Sequence, residues 1–197
     1  GAGARVMIVS DRCVPPRRGL TAASVLECMG VGMTWDPGEV EEWVVKTGFG
    51  AISAAGMLPA LLGLRRVRRD IGVRTPLATV EKLIAPSGAS VVLGAQVGPV
   101  LGTAVEVMAA LGHKRGIAIQ GLEGGVIPGV KKRTRGIELN GQHQVPLTVE
   151  PADFGMQCDM NPELPMFMPT DEEQGTGDNP MLVQAAGDIT DAVLKGE

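Results

Sequence analysis

"ASVVLGAQVGPVLGTAVEVMAALGHKRGIAIQG", residues 89–121, contains an apolar run, a helical stretch and a second apolar run. "ASVVLGAQ" reads as a strand, because it is short and rich in Val and Leu. "PVLGTAVEVMAALGH" repeats apolar residues at helical spacing. It stops at Gly112, the residue type that most easily turns left-handed past a helix end. "KRGIAIQG" reads as a strand again. A strand, a crossover helix and a strand form a βαβ unit, with parallel strands and a right-handed crossover. The expected fold class is therefore α/β, a mainly parallel sheet flanked by helices.

Upstream, "ARVMIVS" (residues 4–10) reads as a buried strand between Gly and Asp. Thr21 suits the N-cap of a helix over about 22–29 that ends at Gly30. In "TWDPGEVEEWVVKTG" (34–48) Asp36 caps a helix and Pro37 takes its first position. Glu39, Glu41 and Glu42 lie in the early turns, and Lys46 and Gly48 close it. "FGAISAA" (49–55) is a short strand. "MLPALLGLRRVRRDIG" (57–72) is a helix with its arginines near the end, where cations suit the dipole. "RTPLATVEKLIAP" (74–86) is a turn and a short helix.

Downstream, "KKRTRGIELNGQHQVPLTV" (131–149) reads as a β-hairpin around Asn140-Gly141. Residues 150–180, rich in Pro, Met and acids, are expected to be irregular. A last helix over about 180–195 is introduced by Asp178-Asn179-Pro180. No internal repeat is visible. One α/β domain is expected over residues 1–197, and both ends look like cuts through a larger protein.

Apolar residues make up 44 % of the 197, a globular composition. Aromatics are only 3 % and Tyr is absent, so the core has to be built from Ala, Val, Leu, Ile and Met. A net charge of −4 argues against a general nucleic-acid binder. Basic clusters nevertheless stand at Arg17-Arg18, Arg65-Arg66, Arg68-Arg69 and Lys131-Lys132-Arg133. Cys13, Cys28 and Cys158 lack metal spacing. They point to a reducing compartment, cytoplasm or plastid rather than secretion, and are expected as small buried or half-buried thiols. No apolar run is long enough to cross a membrane.

Two stretches carry candidate sites. In "DRCVPPRRG" (11–19), Arg12, Arg17 and Arg18 precede a helix and can offer donors to a phosphate; the plainer reading is a solvated loop. The loop "GLEGG" (121–125) follows a strand, where α/β proteins place ligands. Gly121, Gly124 and Gly125 allow close approach to the backbone, and Glu123 can touch a sugar hydroxyl or a metal. One carboxylate is a weak cation signal, since divalent cations take several oxygens. "EQGTGDNP" (173–180) looks like a phosphate loop but follows acids, so it reads as a helix lead-in. His113 and His143 have no triad spacing. "VKKRTR" (130–135) has no aromatic companions and reads as a solvated hairpin face. No residue is assigned a catalytic or metal-ligating role.

Four stretches resemble the glycosyltransferase family 3, whose best-known members are the anthranilate phosphoribosyltransferases. They are "GLTAASVLECMGV", "LRRVRRDIGVRTPLATVEKLIAP", "MAALGHKRGIAIQGLEGG" and "AAGDITDAVLKGE", in the family's order. "RTPLATVEKL" and "GLEGG…RTRG…LTVEPADFG" resemble a divergent branch found in bacteria and plastid-bearing phototrophs. The resemblance implies a phosphoribosyltransferase-like αβ domain. It also implies substrate contacts at Arg68, Arg74, Thr75, Gly121 and Glu123, with Arg68 matching an arginine that contacts the aromatic acid.

The departures from the family are specific. A Lys-His-Gly-Asn-Arg motif falls on Val9-Ser10-Asp11-Arg12, where only Arg12 is kept. The serines of the following loop fall on Pro15–Arg18. The Asp-Glu pair that binds magnesium falls near Val126-Ile127, and the family's pyrophosphate loop would lie before Gly1. Three readings follow. One is a non-catalytic subunit or binding module of a larger assembly, with no cofactor. A second is an active transferase using magnesium and completed by a partner chain. The third is a nucleic-acid binder through Arg65–Arg69 and Lys131–Arg135, as in some bacterial members of that branch.

Overall fold

The computed structural model describes residues 3–11, 19–73, 75–96, 98–161 and 179–196. Arg12, Cys13, Arg17, Arg18, Arg74 and the glycines of "EQGTG" lie outside the described residues. The chain divides into two compact units, one reaching to Ile84 and joined by the C-terminal helix, the other beginning at Ala85.

In the first unit, β1 (Val6–Val9) pairs in parallel with β2 (Phe49–Ile52), Val6 opposite Phe49 and Val9 opposite Ile52. Thr34 bridges to Ile52, and its amide donates to the Ala51 carbonyl. β2, flanked on both sides, is nearly fully buried, whereas β1 is half-exposed. The expectation of a buried first strand is corrected here: among the described residues β1 has a neighbour on one side only.

The helices start where capping residues stand. α1 (Ala22–Cys28) begins with a reciprocal box in which Thr21 and Ser24 satisfy each other's amide. α2 (Pro37–Thr47) is capped by Asp36, whose carboxylate accepts from the Gly38 amide at 2.7 Å, and ends at left-handed Gly48. α2 lies close on β2: a Cβ at Gly50 would come within 2.7 Å of Val40 and 2.8 Å of Val44. α3 (Ala54–Met57), α4 (Ala60–Ile71) and α5 (Leu77–Val80) follow, and a 3-10 turn over Glu81–Leu83 continues α5. Ala54, Ala55 and Leu61 form a small core cluster against which Val9 and Ile84 pack.

In the second unit, β3 (Val91–Gly94), α6 (Gly98–Ala110) and β4 (Arg115–Ile119) form the βαβ unit. β3 and β4 run parallel, Val91 opposite Gly116. α6 buries Leu101, Ala104, Val105 and Met108. A Cβ at Gly116 would meet the Met108 sulfur at 2.5 Å, so the strand is bare where the helix lies closest. β5 (Thr134–Asn140) and β6 (His143–Val149) complete the order β3-β4-β5-β6 with antiparallel pairings. The hairpin turn consists of Gly141 and Gln142, one residue later than the sequence suggested. Gly141, at φ 63°, takes the first central position, as a type II′ turn requires. Among the described residues β6 is the outer strand, and Pro146 stands in it opposite Ile137.

After β6 comes a 3-10 turn, Pro151–Phe154, and then non-regular chain to Asn161. α7 (Pro180–Lys195), which belongs to the first unit, is capped by Asn179 and packs against α1. Cys28 and Cys158 are both exposed, against the expectation of buried thiols. Cys28 lies on the last turn of α1, its sulfur 3.4 Å from Gln184 of α7.

Candidate functional site

The loops after parallel strands concentrate polar groups in each unit. In the second unit, β3 ends at Gly94 and β4 leads into Gln120 and Gly121. The Ala95 amide donates to the Ile119 carbonyl at 2.9 Å, and Gln120 Nε2 donates to the Gln96 carbonyl at 3.0 Å. A Cβ at Gly94 would strike the carbonyls of Gly124 and Gly125, and one at Gly121 would strike the Gly125 carbonyl. The glycines thus let two backbone segments approach each other. The Gly124 and Gly125 amides are turned inward, donating to Gly121 and Leu122 carbonyls at 3.1 and 2.8 Å.

Glu123 sits at the centre of this loop at φ 51° and ψ 26°. Among the described residues it is the one non-glycine residue with positive φ. Left-handed backbone costs an ordinary side chain about 1–2 kcal/mol, so the tight loop imposes this conformation. The chain beyond is pinned by Asn161, whose Oδ1 accepts from the amides of Val130 and Lys131, each at 3.2 Å. Buried Thr134 accepts from the Gly129 amide at 3.0 Å.

The donor set does not suit a magnesium ion. Glu123 is the one carboxylate between Gly121 and Gly129, and Val126 and Ile127 are exposed apolar side chains. Hard divalent cations take six or more oxygens. Among the described residues no group of three or more His, Cys, Asp or Glu comes together to hold a metal.

In the first unit, Asp11 stands just past the carboxyl end of β1. It accepts a hydrogen bond from Ser53, the residue after β2. Arg65 of α4 lies 3.8 Å from the same carboxylate and 5.5 Å over the Trp35 ring. Ser10 accepts from the Ala23 amide at 3.2 Å, joining the strand end to α1. Neither Asp11 nor Ser53 stands out in the sequence, since they are 42 residues apart.

Arg68 is placed differently from a solvent-facing substrate contact. Its side chain is 4 % exposed, and its two terminal nitrogens face both oxygens of Glu81, one at 3.1 Å. Its Nε and the Thr75 hydroxyl are buried, and neither has a hydrogen-bond partner among the described residues. Glu81, thirteen residues away across the α4–α5 turn, carries no signal in sequence spacing. His113 is likewise internal, its Nδ1 2.9 Å from the Ala89 carbonyl.

The basic stretches separate into used and exposed residues. Arg65 and Arg68 are engaged as described, while Arg66 is exposed and 3.9 Å from Asp70. Lys131, Lys132 and Arg135 are exposed, and Arg133 pairs with Glu150 at 3.0 Å. Among the described residues no helix is long and apolar enough to cross a membrane.

Comparison with known proteins agrees with this architecture. The family model described as the glycosyl transferase family, a/b domain, matches residues 1–173. The anthranilate phosphoribosyltransferase of Paraburkholderia phymatum is 32 % identical over 161 residues, 81 % of this chain and 46 % of that protein. That of Cupriavidus necator is 29 % identical over 189 residues, covering 95 % of this chain and 53 % of its own. The chain thus spans about half the length of the curated relatives it matches. Among solved structures, anthranilate phosphoribosyltransferase from Thermus thermophilus superposes with a TM-score of 0.65 at 27 % identity. It covers 94 % of this chain and 51 % of that one.

Proposed function

The chain belongs to the glycosyl transferase family, and from that membership we propose that it is a phosphoribosyltransferase-like domain acting as a non-catalytic binding module within a larger assembly. The observation that carries this reading is the exposed apolar pair Val126-Ile127, at the place where the family resemblance puts its two magnesium-binding acids. Transfer of a phosphoribosyl group requires a stabilised pyrophosphate leaving group, and magnesium with fixed donors usually supplies that stabilisation. An apolar pair offers no oxygen for it.

The partner half of the proposal is supported by exposed apolar residues on helices. Leu64, Val67 and Ile71 of α4, spaced three and four apart, are exposed, as are Ile189 and Val193 of α7. Such surface is characteristic of association. A module of this kind keeps Arg12, Arg17 and Arg18 as a cationic phosphate contact, and Gly121 and Glu123 in a loop that positions rather than reacts.

The test is an assay of the purified protein with phosphoribosyl pyrophosphate, magnesium and anthranilate. The expected result is no pyrophosphate release above a protein-free control. Sustained release that Arg68→Met diminishes would establish the opposite reading, an active transferase.

A further inference from the structure

The stretch "MQCDM", residues 156–160, follows the 3-10 turn after β6 and carries a sulfur at every second position: Met156, Cys158 and Met160. All three are exposed, Met156 at 62 % and Met160 at 68 %, and Cys158 is a free thiol. Methionine usually fills cores, as Met108 does here, so two of them on the surface flanking a thiol are not placed for packing. The backbone that carries them is anchored. The Cys158 amide donates to the Val130 carbonyl at 2.9 Å, and Asn161, just beyond Met160, accepts from the amides of Val130 and Lys131. Residues two apart project to one side of an extended chain. The chain bends at Asp159 and Met160, which shortens the span from Met156 to Met160 below that of a straight strand. Spacing between cysteines does not reveal this group, because two of its three donors are methionines. The other cysteines lack the pattern: Leu26 and Gly30 flank Cys28 at the same distance, and Asp11 and Pro15 flank Cys13.

We propose that Met156, Cys158 and Met160 form a binding site for a soft monovalent cation, Cu(I), held by one thiolate and two thioether sulfurs. Thiolate and thioether ligands together select Cu(I) over harder ions. Zinc takes its ligands from Cys, His and carboxylates, and among the described residues no group of three such side chains gathers. The unbranched methionine side chain is flexible enough to swing its sulfur onto an ion held by Cys158. Binding replaces the thiol proton by the metal and releases that proton to solvent. Copper enters and stays as Cu(I), so no electron is exchanged. The site uses no residue of the Gly121–Gly125 loop, and its test does not depend on transfer activity.

The experiment titrates the full chain with Cu(I) under anaerobic conditions, with bicinchoninate as a coloured competing chelator. The wild type is expected to hold one Cu(I) against the chelator, and Cys158→Ser is expected to lose it. The double variant Met156→Leu, Met160→Leu keeps the thiol and is expected to bind at least about tenfold more weakly, since thioethers supply the remaining ligands. Cys28→Ser is expected to bind as the wild type does. Every substituted side chain is exposed, and unchanged melting temperatures without metal check that the variants fold alike. X-ray absorption at the copper edge is expected to show a shell of sulfur alone. Undiminished affinity in the double methionine variant overturns the proposal, because a thiol alone would then suffice. A wild type that yields all its copper to the chelator also overturns it, as does a nitrogen-dominated shell or a loss in Cys28→Ser equal to that in Cys158→Ser.

Discussion

Ser53 donates a hydrogen bond to the carboxylate of Asp11, joining the chain just past β2 to the chain just past β1. The bond holds the carboxyl ends of the parallel pair together where the chain enters the Arg12–Arg18 stretch. Arg65 adds a positive charge 3.8 Å from the same carboxylate oxygen. Asp11→Ala is expected to cost about 2 kcal/mol, since it removes a charge-assisted hydrogen bond from Ser53 and the carboxylate that faces Arg65. Asp11→Asn, which still accepts from Ser53, is expected to cost about half as much. Urea denaturation of the two variants measures both; equal losses would refute the role given to Ser53.

The glycines make opposite predictions according to their surroundings. A methyl group at Gly94 meets two carbonyl oxygens, and backbone cannot step aside as a side chain can. Gly94→Ala is expected to destabilise by about 2–3 kcal/mol. A methyl at Gly63, inside α4, meets nothing within 4 Å. Gly63→Ala is expected to stabilise by about 0.5–1 kcal/mol through helix propensity. Thermal melts of the pair should shift in opposite directions.

Glu123 tests whether the left-handed residue of the Gly-rich loop is held there at a cost. Glu123→Gly is expected to relieve the backbone strain, because glycine adopts φ 51° freely. Glu123→Val, with a branched side chain at the same φ, is expected to be about 1–2 kcal/mol less stable than the Gly variant. Chemical denaturation midpoints at equal slope decide between them; a Val variant as stable as the Gly variant would remove the strain.

The end caps should behave as separable contributions. Thr21→Ala breaks the reciprocal box at α1, and Asn179→Ala removes the acceptor for the Met181 and Leu182 amides at α7. Each is expected to cost about 1 kcal/mol. Replacement by Gly, read in the same urea titration, should cost only a few tenths.

Much of the fold was legible because its signals are local. Asp36, Pro37 and Gly48 bound α2, Asn179 and Pro180 start α7, and the short apolar runs on either side of α6 pair in parallel as a βαβ unit must. Each of these rests on a residue and its near neighbours. The site was less legible because its contacts are long-range. Arg68 is conspicuous in sequence, yet its environment depends on Glu81 beyond a turn. Asp11 acquires its meaning only from Ser53, and the crowding at Gly94 comes from a loop some thirty residues later. The one-residue shift of the hairpin turn has a similar origin: pairing with β4 holds Asn140 in β5, opposite Arg115.

Pro146 governs the way this sheet can grow. Counting from the two-residue turn, Asn140 and His143 face each other in a bonded pair, and the bonded pairs alternate, so the pair Ile137 and Pro146 is a non-bonded one. The nitrogen of Pro146 therefore points away from β5, and the donor that proline lacks is missing from the outer rim instead of the ladder. A strand arriving there from another molecule finds a gap in the middle of its template. Accretion of chain upon chain, the first step towards a fibril, is opposed at that rim by one imino acid that leaves the hairpin's own bonding complete.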